Sequence, residues 1–117
     1  MIEREIQTAI LLACSRGDSR LFRLNAGVAW QGTVLEHTST RLVLANPYAI
    51  KLGTRGMSDL IGWGPGGRFA ALEVKATRGR PTPEQLAFID LVNRSGGIGA
   101  VVRSVEEAME ALGKRLE

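Results

Sequence analysis

The fold is decided by residues 58–76, which read SDLIGWGPGGRFAALEVKA. Two short apolar runs flank a Gly/Pro cluster, a pattern typical of a β-hairpin. If the loop is centred on that cluster, Asp59 lies opposite Leu72 or Glu73 in an antiparallel pair. Glu73 and Lys75 project from the same strand face because side chains alternate along a strand. The hairpin is therefore predicted to bring Asp59, Glu73 and Lys75 together.

Two carboxylates and an ammonium group at the end of an apolar strand have two interpretations. Charged side chains are rarely buried unless they are paired or bind a metal. The simpler interpretation is an ion pair of Glu73 with Lys75 or with an arginine. The other is a divalent-metal site, since Mg²⁺ takes one or two carboxylates, keeps several waters and leaves room for a substrate phosphate. A lysine beside the metal can stabilise charge on the phosphoryl group or help to deprotonate water.

The residues around this trio carry a family resemblance. The spacing of Asp59, Glu73 and Lys75 resembles the PD-(D/E)xK nuclease signature. The neighbouring segments resemble the small stand-alone, phage-like form of the VRR-NUC (virus-type replication-repair nuclease) family; these are Gly56–Asp59, Arg68–Lys75, Gly79–Gln85 and Gly96-Gly97 before an apolar strand. The likeness covers nearly the whole chain, although Ser58 stands where family members often have Pro.

The resemblance implies an α/β fold with a restriction-endonuclease-like core, in which helices flank a central mixed sheet. It also implies that Mg²⁺ or Mn²⁺ is bound by Asp59, Glu73 and the main-chain carbonyl of Val74, with Glu3 completing the first site or sharing a second metal. Lys75 would position or activate the attacking water, and Gln85 would orient Lys75 or the water. We expect a structure-specific endodeoxyribonuclease, as used in DNA repair, with four-way (Holliday) junctions as the leading substrate.

The expected active form is a homodimer. Two-fold repetition of a single site lets one small domain cut two strands, or two arms of a junction, and the stand-alone members that the chain resembles are understood as such dimers. Three alternatives to a junction nuclease stay open. They are a non-catalytic nucleic-acid-binding or interaction module, a nuclease directed to flaps or single strands, and a nuclease that acts on RNA.

Composition excludes several other kinds of site. The chain has 117 residues and is expected to form one domain, residues 1–117. The single Cys14 excludes an internal disulfide and a cysteine cage for zinc, and the single His37 disfavours a histidine metal centre or a Ser/His triad. Without a signal-like segment or a long apolar run, we expect an intracellular protein, in the cytoplasm of a phage-infected or bacterial cell, with no membrane partner.

Basic residues are concentrated in the middle of the chain. The net charge is +3, but residues 37–83 hold seven basic residues and only two acidic ones, which are the proposed metal ligands. Such a patch suits a polyanion, although a solvated basic face is the simpler interpretation. Arginines that follow Lys75 closely could hold phosphates. The candidate DNA contacts are Lys51, Arg55, Gly56, Arg78 and Arg80.

Three helices are predicted from periodicity and capping signals. Residues 2–15 form an amphipathic helix with Glu3 at the edge of the apolar stripe, where this residue could instead only favour the helix N-terminus electrostatically. A second helix follows Thr82. A third helix follows a capping box that begins at Ser104, and this helix runs to about Lys114.

Gln85 has two candidate roles in the second helix. It lies three residues after Thr82, so it completes a capping box. It also falls on the apolar stripe of that helix, facing the sheet, and in the resembled family this Gln belongs to the active site. Both roles could hold at different moments.

Further strands are predicted at residues 20–25 and at Ile98–Arg103. Residues 26–55 are expected to form a hairpin-like excursion, with strands around a polar turn at Glu36–Thr40 and another turn at Asn46-Pro47. The apolar strands of this excursion lack obvious partners, so we expect a contact with DNA or with a second copy of the chain. Trp30 and Tyr48 could stack on bases, although aromatic residues in strands are more often core.

Overall fold

The computed structural model describes residues 1–24 and 27–113. The elements follow in the order α1 (Glu3–Cys14), β1 (Arg20–Arg23), β2 (Gly27–His37), β3 (Leu42–Leu52), β4 (Leu60–Trp63), β5 (Phe69–Val74), α2 (Pro83–Arg94), β6 (Ile98–Val102) and α3 (Val105–Ala111). Their contacts form two compact units: one is the segment Asn25–Thr54, and the other holds the described residues on either side of it. The predicted α/β fold with a mixed sheet is confirmed.

The larger unit is built on a four-stranded sheet of order β1-β4-β5-β6. The first three strands are antiparallel neighbours, and β6 lies parallel to β5. A 3-10 turn at Pro65–Gly67 connects β4 to β5, and Leu60 pairs with Leu72. This is the predicted register, and one step further along it Asp59 lies opposite Glu73.

One face of this sheet carries the hydrophobic core. Side chains of β1, β4, β5 and β6 pack there with those of α1 and α3; the buried members are Ile6, Ile10, Cys14, Leu21, Leu60, Ala70, Leu72, Val74, Ile98, Val102, Ala108 and Leu112. Ile10, Leu60 and Leu72 are fully buried. Truncating one of these large side chains to Ala typically costs about 2–5 kcal/mol, so this face fixes the positions of the strands.

The opposite face, which we call the site face, is only partly covered. Helix α2 packs over β5 and β6 and buries Ile89 and Val92 there. The part of the site face formed by β1 and β4 keeps exposed aromatic side chains, namely Phe22, Trp63 and, at the start of β5, Phe69. Asp59 and Glu73 project from the same face, because they alternate with the core residues Leu60 and Leu72.

The smaller unit is the β2–β3 hairpin, which confirms the predicted excursion. The predicted turn at Asn46-Pro47 is wrong: both residues lie inside β3 and form a β-bulge opposite Gly32. Asn46 has a φ angle of 49°, and Asn tolerates this left-handed conformation better than most residues. The core interpretation of Trp30 and Tyr48 is also wrong, because both side chains are exposed.

The helix ends agree with the predictions, with one correction. The Ser104 hydroxyl accepts the Glu107 N–H at 3.1 Å, but Glu107 Oε1 accepts from Arg103 N instead of Ser104 N, so the second capping box is incomplete. The predicted ends at Asn25 and Lys114 lie outside the described residues. Among the described residues, no helix is long and apolar enough to span a membrane.

Candidate active site

Asp59 is fixed at the open end of the central hairpin. Its Oδ2 accepts the main-chain N–H of Val74 at 2.9 Å, and its carbonyl oxygen accepts the N–H of Leu24 at 2.8 Å. The main-chain N–H of Lys75 donates to Val102 O at 3.0 Å. These bonds connect β1, β4, β5 and β6 at one edge, so the backbone around Asp59 and Glu73 is held on both sides.

Glu73 is a buried carboxylate with one satisfied oxygen. Its side chain is 1% exposed, and its Oε1 accepts the Gln85 side-chain amide at 2.8 Å and lies 3.3 Å from Lys75 Nζ. Its Oε2 is buried and has no hydrogen-bond partner among the described residues. Buried polar atoms are normally paired, so this oxygen needs a proton or a bound cation.

The electrostatics of Asp59 and Glu73, which we call the acidic pair, lead to the same conclusion. Burial, followed by the nearby Asp59 carboxylate, raises the pKa of Glu73 to about 7, although Lys75 opposes the shift. Two carboxylates this close cannot both be charged at low cost without a cation between them. Without a cation, one carboxyl group of the pair is therefore expected to hold a proton up to near neutral pH.

The stability of the metal-free protein should depend on pH through Glu73. The pKa of about 7 in the folded state lies above the ordinary value of 4.5, so the folded state binds this proton more tightly than the unfolded state does. The free energy of unfolding in EDTA should therefore rise as the pH falls from about 8 to about 5.5. Urea titrations of the native protein and of Glu73→Gln check this: the rise should be smaller in the variant, and equal rises would contradict the assignment.

Gln85 caps α2 and contacts Glu73, a proposed site residue, at the same time. Its main-chain N–H donates to Thr82 Oγ1 at 3.2 Å, and its Oε1 accepts the Thr82 N–H at 2.8 Å. The same side chain donates through Nε2 to Glu73 Oε1. The two ends of one amide make both contacts together, so the contacts do not have to alternate. The amide also contacts Glu73, where the resemblance implied Lys75 or the water.

Glu3 lies at the start of α1, next to the loop that follows β5. Its Oε1 is 3.1 Å from the position that a Cβ atom on Gly79 would occupy. Across residues 1–24 and 27–113, no three or more His, Cys, Asp or Glu side chains are grouped so that they could hold a metal ion. The role of Glu3 as a ligand beside Asp59 and Glu73 therefore stays a prediction.

A basic loop, residues 77–81, follows the acidic pair. Arg103, just after β6, donates from Nη1 to Ala76 O at 2.6 Å and to Gly79 O at 2.7 Å, which ties the loop to the sheet. A groove of about 630 Å³ runs along it, lined by Thr77, Arg78, Gly79, Arg80, Pro81, Leu86 and Arg103. Sequence reasoning missed Arg103. Its signal was available: a basic residue that ends a strand parallel to β5 must lie near the end of β5.

Of the remaining DNA candidates, Arg55 and Gly56 precede β4 and lie against Glu84 at the start of α2. Arg55 Nη2 lies 3.5 Å from Glu84 Oε1, and both side chains are exposed. Gly56 has a φ angle of 89°, and a Cβ there would lie 2.8 Å from Glu84 O, so this position requires glycine for a structural reason. Lys51 is exposed on β3, in the smaller unit.

Comparison with known proteins identifies the family. No curated protein gives a significant match. The model of the VRR-NUC domain matches residues 28–106, a range that contains Asp59, Glu73, Lys75 and Gln85 but not Glu3. Members of this family are nuclease-type hydrolases that act on DNA and generally use divalent metal ions. Because the match spans more than half of the sequence and includes the whole acidic pair, this chain belongs to the VRR-NUC domain family.

Proposed function

We propose that this protein is a metal-dependent endonuclease of the PD-(D/E)xK type that cleaves branched DNA, with four-way junctions as its leading substrate. The observation that carries the proposal is the buried Glu73 carboxylate. It faces Asp59, it adjoins Lys75, and its Oε2 has no partner in the described part of the chain. An arrangement that served only as a strand-end ion pair would not need a second carboxylate, Asp59, against this buried group.

The residues present fit a hard divalent cation such as Mg²⁺ or Mn²⁺. Such ions take oxygen ligands, and one or two carboxylates suffice because the ion keeps several waters. Asp59, Glu73 and the Val74 carbonyl would hold the metal, and Glu3 would complete this site or share a second metal. The Val74 N–H that binds Asp59 Oδ2 would orient that ligand. When bound, the ion would polarise the phosphodiester and lower the pKa of a coordinated water.

The neighbouring side chains have separate proposed tasks. Lys75 Nζ, 3.3 Å from Glu73 Oε1, would position the attacking water and stabilise negative charge that develops on the phosphate. Gln85 is a positioning residue: its amide fixes one oxygen of Glu73 and so leaves the other oxygen for the metal. The proposed catalytic set is therefore Asp59, Glu73 and Lys75, and Gln85 holds Glu73 in position.

A panel of labelled substrates tests the proposal. Linear, nicked, flapped and four-way DNAs, together with an RNA of the same sequence, are incubated with Mg²⁺, Mn²⁺ or EDTA. We expect cleavage of the four-way junction with either metal and none in EDTA. Preferred cutting of flaps, single strands or RNA would reassign the substrate. Tight DNA binding without cleavage in any metal would indicate a non-catalytic binding module.

The active form should be a homodimer. The β2–β3 hairpin supports this expectation, because a two-stranded sheet alone is marginally stable and this one exposes large apolar side chains, namely Val28, Trp30, Val34, Leu35, Leu42 and Tyr48. Light scattering coupled to size exclusion should give twice the chain mass at micromolar concentration. Paired symmetric nicks on a four-way junction would support the same two-fold arrangement. A clean single-chain mass would contradict it.

Removing both Arg78 and Arg80 should weaken DNA binding more than it slows the chemical step. Both are exposed in the loop after β5, where cations bind phosphates through counterion release. The slope of log K against log salt should shrink by about one for each phosphate that is no longer neutralised. Arg94→Ala, an exposed arginine at the other end of α2, is the matched control. An unchanged slope in the double variant would place the DNA elsewhere.

A further inference from the structure

Three of the six aromatic residues of the chain form one exposed surface on the larger unit. The side chains of Phe22, Trp63 and Phe69 are 56%, 38% and 45% exposed. The rings of Phe22 and Trp63 are tilted against each other with centroids 6.0 Å apart, and the indole N–H of Trp63 donates to Asp18 O. We call these three residues the aromatic surface.

The aromatic surface lies on the same sheet face as the acidic pair. Phe22 pairs with Ile61, and Trp63 pairs with Phe69, so all of these side chains project from the site face. Ile61 and Trp63 follow Asp59 by two and four residues along the direction of β4. At the ordinary rise per residue of a strand, the rings therefore lie about 7 to 13 Å from Asp59 and Glu73. Helix α2 packs over β5 and β6, and the aromatic rings remain accessible.

Positive charge flanks this surface. Arg20 pairs with Trp63 in the sheet, so its side chain projects from the site face, whereas Arg68, which directly precedes Phe69, starts from the opposite face by the same alternation. The Arg20 guanidinium donates to the carbonyls of Gly17 and Ser19, and that of Arg68 donates to the carbonyls of Gly96 and Gly97; these four carbonyls are their hydrogen-bond partners. Neither arginine forms a salt bridge within residues 1–24 and 27–113, and the Arg20 charge, on the same face as the rings, remains available to an anionic ligand.

The exposed rings and the neighbouring positive charge favour one of two partners, a single-stranded nucleic acid or a second copy of the chain. Exposed rings beside a guanidinium group are elements that bind single-stranded nucleic acid, where bases stack on rings and phosphates meet cations. A second copy of the chain packed on the same surface would bring a second Arg20 into the same interface. Like charges opposed across an interface are unfavourable, so the charge pattern favours a polyanion.

We propose that the aromatic surface is a stacking platform for unpaired bases of the strand that is cut. The inference rests on the proposed nuclease function and adds the feature of the substrate that the site recognises. A strand with its scissile phosphate at Asp59 and Glu73 would run its neighbouring bases over Phe22, Trp63 and Phe69. Stacking is tolerant of sequence, whereas paired bases in a continuous duplex do not present their faces. The site therefore selects DNA whose base pairs are open, or are opened by the protein, beside the cleavage point, such as the branch point of a junction.

Tryptophan fluorescence tests the proposal without requiring cleavage. The chain has two tryptophans, so a Trp30→Phe background leaves Trp63 as the only indole. This protein is titrated in EDTA with a short oligothymidylate and with a duplex of the same length. We expect saturable quenching by the single strand, and weaker binding of the duplex. Unmodified protein, titrated by anisotropy of a labelled strand, checks that the background binds equally well.

Two ring-removing variants measure the contribution of stacking. In the Trp30→Phe background, Phe22→Leu with Phe69→Leu keeps apolar volume and should weaken single-strand binding about ten-fold. The loss should persist at high salt, unlike a loss of phosphate binding. Leu12→Ala, at a side chain that is 71% exposed on α1, is the control and should bind normally. Urea unfolding of each variant verifies the fold, and the single variants Phe22→Leu and Phe69→Leu replace the pair if it is destabilised.

Several outcomes would overturn the platform. Absence of quenching, or unchanged affinity of the ring-removing variants, would show that bases do not stack there. A change from dimer to monomer in these variants would make the surface a contact between copies of the chain. Failure of the proposed function would look different: quenching in EDTA without cleavage in any metal refutes the nuclease activity only, and cleavage without quenching refutes the platform only.

Discussion

Glu73→Gln is expected to abolish DNA cleavage, with kcat falling by about 10²–10³-fold or more, while the protein stays folded. The substitution keeps the side-chain volume and leaves an oxygen that can accept the Gln85 amide, but it removes the charge that a metal needs. Asp59→Asn and Lys75→Ala should have effects of similar size, because all three side chains meet at the same end of the central hairpin. Single-turnover cleavage in saturating Mg²⁺, together with circular dichroism, measures activity and fold separately.

The matched control is Glu106→Gln, which makes the same chemical change at an exposed position on α3 and should cleave normally. Metal binding measured by calorimetry should be lost in Glu73→Gln and retained in Glu106→Gln. Near-normal cleavage by Glu73→Gln in saturating Mg²⁺ would remove the metal-site proposal. Normal metal binding without cleavage would instead assign Glu73 to a step after the metal has bound.

Gly62→Ala is expected to produce the largest loss of stability of any single change considered. A Cβ on Gly62 would overlap Arg20 O and would lie 2.9 Å from the carbonyl carbon of the same residue. Those atoms belong to the backbone of β1, which pairs with β4, so the clash cannot be relieved by a side-chain rotation. Separating the strands would cost about 3 kcal/mol or more. Urea denaturation monitored by circular dichroism measures the loss.

Gly67→Ala separates this clash from the general cost of replacing a glycine. Gly67 has a φ angle of 78° and nothing within 4 Å of its added Cβ. Its replacement should cost only the left-handed backbone penalty of about 1–2 kcal/mol. A smaller loss for Gly62→Ala than for Gly67→Ala would mean that β1 and β4 can move apart in solution.

The sequence predicted the centre of the fold well because the relevant signals are local. A Gly/Pro cluster between two apolar runs determines the register of β4 and β5, and the register alone brings Asp59 opposite Glu73. The capping pair Thr82 and Gln85 was predictable for the same reason. Asn46-Pro47 shows where local signals fail: the same dipeptide serves a turn or a bulge, and the pairing of β2 with β3 decides between them.

The features that sequence reasoning missed depend on contacts between distant segments. Phe22, Trp63 and Phe69 have the spacing of ordinary strand residues, and their exposure follows from the position of α2 over β5 and β6. Arg103 belongs to no sequence motif. It reaches the loop after β5 because β5 and β6 are parallel neighbours. The unpaired Glu73 oxygen likewise depends on how closely α2 and the sheet enclose it.

On the proposed mechanism, the double use of the Gln85 amide couples fraying at the start of α2 to catalysis. The first turn of a helix is among the first parts of a protein to open, well before global unfolding. When that turn opens, Thr82 loses its partner, and the donor that fixes Glu73 Oε1 leaves with it. On the proposed mechanism, heat inactivation would therefore be reversible and would precede the melting of the sheet. Amide hydrogen exchange at the start of α2 would then report the fraction of molecules competent to cut.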